Sequence, residues 1–131
     1  MSNWAPHLIG LLTPLSAIIG LMLGGWWMVV PIVLLLGIYP LLDTLAGSTT
    51  VHDVEQEGTG HDIIVHLHGL FVPLVVLALM FRIWDGIGSF SIFVPILSAG
   101  LATGAAGVVA AHELGHRKPK SFSWWLGRLD L

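Results

Sequence analysis

No Asp, Glu, Lys or Arg occurs anywhere in residues 1–42. No water-facing surface can be built from such a stretch. As one helix it would reach roughly 60 Å, about twice the ~30 Å hydrocarbon core of a bilayer. Gly24-Gly25 followed by Trp26-Trp27 interrupts it near the middle. The pattern predicts a helical hairpin with spans at about 7–23 and 26–45. Residues 63–81 and 86–111 are again free of fixed charge, and predict spans at about 63–84 and 89–112. The first run lacks a basic leader and is followed by further spans, so it reads as a retained helix and not as a cleaved signal peptide.

Composition agrees. Apolar residues make up 55% of the 131, and charged residues 10%, against about 25% in a soluble domain. A soluble globular protein is excluded. Only five Lys and Arg are present, too few for a nucleic-acid partner. The lack of Cys removes disulfides, thiolate zinc sites and iron–sulfur clusters. The expected fold is all-α: a polytopic membrane helical bundle of about four spans, with one polar loop over 46–62 and a polar tail over 117–131. The partner of such a surface is the lipid bilayer.

Four of the five basic residues, Arg117, Lys118, Lys120 and Arg128, follow the fourth span. Basic residues flanking spans collect in the cytoplasm. That tail, the 46–62 loop and the N-terminus are therefore expected inside. Trp4, Trp26, Trp27 and Trp84 fall at predicted span ends, where an interfacial aromatic belt would lie. Arg82 and Asp85 fall at the outer end of the third span and can pair there. Pro14, Pro31, Pro40, Pro73 and Pro95 lie in or near spans, where kinks are expected.

The chemistry concentrates in His112-Glu113-Leu114-Gly115-His116. Histidines at i and i+4 share a helix face about one turn apart. Both imidazoles can reach one metal or two adjacent ones, and Glu113 is the candidate general base or further ligand. The plain alternative is a set of interfacial polar residues closing a helix. HExxH serves zinc hydrolases, which need a third ligand and an open water position. Imidazole and carboxylate also suit non-haem iron. Asp43, at the end of the second span, can orient a metal-bound histidine through its free ring N–H, or simply cap the loop. His66 and His68 diverge by about 200° on a helix and do not share a face. They suit an interfacial polar role or one surrounding a metal. His52 and His61 read as solvated, and His7 opens the first span. The fourth span is rich in small residues. Its Gly100 and Gly104 permit close helix approach; with Ala105, they can instead leave a slot for an extended apolar chain leading to His112.

The segment from Val108 through His112, His116 and Lys118, followed by Trp124-Trp125, resembles the first histidine box of membrane-bound alkane 1-monooxygenases, members of the membrane fatty-acid desaturase and hydroxylase superfamily. Tyr39-Pro-Leu-Leu-Asp43 ahead of an acidic loop is similar to that family as well. The resemblance follows the order of spans along essentially the whole chain, and corresponds to the N-terminal third or so of a family member. It implies a bundle of six spans in the bacterial cytoplasmic membrane with both termini inside. It implies two non-haem irons held by histidine boxes, an alkane substrate, O2 and a rubredoxin-type electron donor. His112 and His116 would be iron ligands, and Glu113 part of the same box. Gly100, Gly104 and Ala105 would line the alkane channel.

The family's later boxes, E-H-x-x-G-H-H and H-x-x-H-H, do not occur in these residues. The resemblance therefore implies an incomplete ligand set, and oxygenase activity by this polypeptide alone is not expected; the missing C-terminal part would be a partner. Two other readings stay open. One is an intramembrane HExxH zinc protease, which would need a later acidic ligand. The other is a small non-catalytic membrane protein in which the box is a remnant.

Overall fold

The structure is a computed structural model that describes residues 5–47, 59–88, 91–116 and 121–129. Trp4, His52, Arg117, Lys118 and Lys120 lie outside the described residues, as do the side chains of His7 and His61. Every regular element among the described residues is helical, as a charge-poor chain in lipid requires: a helix satisfies its backbone groups within itself.

A 3-10 turn over Ala5–Leu11 leads into α1, Leu12–Leu23. The second span starts as a 3-10 turn, Gly25–Val29, and continues through α2, Val30–Val33, a π-helical turn, Leu34–Ile38, and α3, Tyr39–Ala46. Then come α4, Thr59–Asp85, α5, Phe93–Gly115, and the short α6, Phe122–Leu129. Among the described residues, three helical runs are long and apolar enough to cross a bilayer: Gly25–Ala46, Asp62–Asp85 and Phe93–Leu114. The first apolar helix, Leu8–Leu23, follows the expected bounds but is shorter than these three. At ~1.5 Å per residue it reaches only about 24 Å, because Gly24 stops it. The protein is an integral membrane helical bundle.

The prolines do not break the second span. Pro31 sits in the first turn of α2 and Pro40 in the first turn of α3. Each follows a turn with altered hydrogen bonding, 3-10 before Pro31 and π before Pro40. Such local changes of pitch absorb a missing N–H while keeping the chain helical.

The core lies between α1, α4 and α5, where Ala17, Leu21, Val75, Ala78, Ala99 and Ala102 are buried together with Met28. Alanine on α4 and α5 lets these two helices approach closely, which is how membrane helices gain packing energy without a hydrophobic drive. Gly100 and Gly104 do not mediate this contact. Both are exposed, and a Cβ added at either would meet nothing within 4 Å. The close-packed face of α5 is instead the one carrying Ser98, Ala99, Ala102 and Ala106.

Trp26, Trp27 and Trp84 stand exposed at the end of the bundle that carries the α1–α2 turn, where interfacial tryptophans belong. Arg82 and Asp85 form the expected ion pair. Arg82 does not reach outward, however: its side chain is 9% exposed and lies under the turn, with Nη1 against Gly24. Gly24 has φ +72° and ψ −168°, backbone that only glycine adopts readily, and a Cβ there would run into the guanidinium. Gly24→Ala is expected to cost about 1–3 kcal/mol, measured by reversible unfolding in mixed micelles. Gly37→Ala, where a Cβ meets nothing within 4 Å, is expected to show no comparable loss.

Candidate metal centre

The opposite end of the bundle gathers the polar chemistry. Three helices meet there around Val65 of α4, Leu114 of α5 and Leu126 of α6, all buried. Leu114 is the middle residue of the HELGH box. Its burial fixes which way the last turn of α5 faces. His112 and His116 point to the other side and are exposed. Their rings stand 4.7 Å apart, centroid to centroid, at 82°, so one ring presents its edge to the face of the other. Glu113 is half-buried and engaged with neighbouring groups.

As expected from their spacing, the two imidazoles share one helix face. The donor chemistry fits non-haem iron or zinc. The number of donors does not suffice: among the described residues, no three His, Cys, Asp or Glu come together in a group able to hold a metal ion.

The surrounding candidates are dispersed. Asp43 is exposed on α3, and among the described residues no hydrogen bond or ion pair joins it to His112 or His116. His68 lies one helix away, its Nδ1–H donating to the Ile64 carbonyl at 2.9 Å. Its Nε2 edge packs on Gly10, where an added Cβ would come within 3.2 Å. His66 uses both ring nitrogens. Nδ1 is 2.7 Å from the Asp62 carbonyl oxygen, which can only accept, so Nδ1 carries the hydrogen. In the neutral ring Nε2 then accepts from the Ser123 hydroxyl at 2.8 Å. As expected, His66 and His68 point different ways.

Ser123 was not visible as a partner in the sequence. Nor was the role of Tyr39, whose hydroxyl donates to the Ile9 carbonyl at 3.0 Å and accepts from Thr13 at 3.1 Å. That pair of bonds pins the second span to the start of the first, just beyond the π-helical turn. Both are long-range pairs between spans, and nothing in local spacing announces them.

The open face of α5 runs from the box along the helix. Phe93, Leu97, Gly100, Gly104, Val108 and His112 are all exposed and follow one another at steps of three or four residues. This is one continuous seam, apolar along its length, with two glycines in the middle and a histidine at the end.

No protein-family profile matches the chain, and no solved structure matches it. Among curated proteins it is similar to alkane 1-monooxygenase 1 of Alcanivorax borkumensis, at 31% identity over 140 aligned residues. The chain spans about a third of that relative's length: the alignment covers 95% of the chain and 33% of the relative. Along nearly all of its length, the chain is thus similar to one portion of an alkane 1-monooxygenase.

Proposed function

We propose that this chain is the N-terminal part of a membrane non-haem di-iron alkane hydroxylase. The observation that carries this reading is the 31% identity to an alkane 1-monooxygenase along 95% of the chain, with the HELGH box at the end of a membrane-spanning helix. In this reading His112 and His116 supply two of the iron ligands, Glu113 belongs to the same centre, and the remaining ligands come from histidine boxes outside these residues. The box would face the cytoplasm of a bacterial inner membrane, where a rubredoxin-type donor delivers electrons.

When bound, the irons supply the redox chemistry that activates O2. One oxygen atom enters the terminal C–H bond, and the other leaves as water with two electrons and two protons from the donor side. The chain's own part is to bind and orient. An alkane offers no polar handle, so its binding comes from apolar burial, about 0.8 kcal/mol per methylene. The seam on α5 offers that kind of surface. Gly100 and Gly104 leave room for the chain, Ala105 lies beside them, and His112 stands at its end.

The test is a metal and product assay on membranes carrying the complete reading frame that contains these residues. The expected result is iron in the purified protein and a terminal alcohol from a medium- or long-chain alkane, with oxygen derived from O2. Zinc without iron and no alcohol would overturn the proposal.

A further inference from the structure

The box lies on the last turn of α5, which is anchored by the buried Ala111 and Leu114. It ends at Gly115, and His112 and His116 are exposed. Leu114 rests on both α4 and α6. Leu126 packs against Leu114 and Val65, and α6 is itself shaped by short-range bonds. The Ser121 hydroxyl accepts from the Trp124 N–H at 3.2 Å, closing the start of the helix, and Arg128 stacks over Trp124 at 4.7 Å. At two turns, α6 is too short to be stable alone. Its place depends on what ties it down.

One side-chain hydrogen bond joins α6 to α4 across 57 residues of sequence: His66 Nε2 to Ser123 Oγ at 2.8 Å. The His66 ring is not free to choose another orientation cheaply, because its other nitrogen is held by the Asp62 carbonyl at 2.7 Å. The N-terminal part of α4 thus presents a fixed acceptor, and Ser123 donates to it.

We infer that His66 is a positioning residue, which fastens α6 to α4 through Ser123 and so sets the pose of the α5 turn that carries His112 and His116. It is not a metal ligand. Its lone pair is committed to Ser123, and the influence on the box passes through α6 and Leu114. This deepens the proposed function and rests on it where the box is taken as a metal site. The latch between α4 and α6 is tested independently of that reading.

The experiment uses the full chain in lipid nanodiscs. Amide exchange over residues 122–129 reads the latch. Titration with copper(II) alone, followed by electron paramagnetic resonance, reads the box through the nitrogens that bind the probe. A His112→Ala/His116→Ala variant sets the background. One net hydrogen bond of ordinary strength corresponds to roughly a 3- to 10-fold change in an equilibrium. Ser123→Ala and His66→Ala are each expected to speed exchange in α6 and to weaken copper binding by that factor, with the number of coordinating nitrogens unchanged. Ser123→Thr, which keeps the hydroxyl, is expected to restore both. Unchanged α6 exchange in Ser123→Ala and His66→Ala overturns the latch. Loss of a coordinating nitrogen in His66→Ala overturns it in favour of ligation. Copper binding unaffected by His112→Ala/His116→Ala counts against the box as a metal site, while the exchange result still decides the latch.

Discussion

His112→Ala is expected to abolish iron loading of the complete centre, from full occupancy to background by elemental analysis of the purified enzyme. The side chain is exposed, and its removal leaves the packing of α5 intact, since Leu114 and Ala111 carry the burial at that turn. A destabilised fold would not explain the loss. The variant should reach the membrane at normal levels and unfold at an unchanged denaturant concentration. His116→Ala is expected to behave in the same way. Full iron occupancy in His112→Ala would remove this residue from the ligand set and leave the box as an interfacial helix end.

The second large effect is expected at Gly104. A Cβ added there meets nothing within 4 Å inside the chain and the position is exposed, and replacing a helical glycine gains up to about 1 kcal/mol of propensity. Gly104→Leu should therefore fold at least as well as the parent. In the complete enzyme it should shorten the longest alkane accepted, because the added side chain takes up about the volume of three or four methylenes. Each methylene denied burial costs about 0.8 kcal/mol, roughly fourfold in kcat/KM. The loss should be steep for long substrates and slight for short ones. Ala105→Leu is expected to shift the profile in the same direction. Product profiles unchanged across chain lengths would mean that the α5 seam faces lipid or another helix and not the substrate.

Much of the fold is legible because lipid leaves few choices. Charge-free runs mark the spans, and Gly24-Gly25 marks the turn that the structure places at φ +72° and +58°. The Arg82–Asp85 pair follows from spacing alone. One feature needed coordinates. The glycines at 100 and 104 look like a helix-packing motif, yet alanines a quarter-turn or more away make the contact. Small residues fill more than one face of α5, so sequence could not choose between them.

The site divides in the same way. The i, i+4 spacing puts His112 and His116 on one face, as any helix would. The tie from His66 to Ser123 depends on how α6 folds back, and no local pattern encodes it. Two histidines and a glutamate stand in the box, but among the described residues no three His, Cys, Asp or Glu come together in a group able to hold a metal ion, so the sequence pattern alone suggests the centre.

The account as a whole is tested most directly by sequencing the transcript beyond the codon for Leu131. An in-frame continuation carrying histidine boxes of the E-H-x-x-G-H-H and H-x-x-H-H types is the expected result, and it would supply the ligands that His112 and His116 lack. A stop at that codon, with no second chain in the same membrane carrying those boxes, would contradict the assignment of this chain to an alkane hydroxylase.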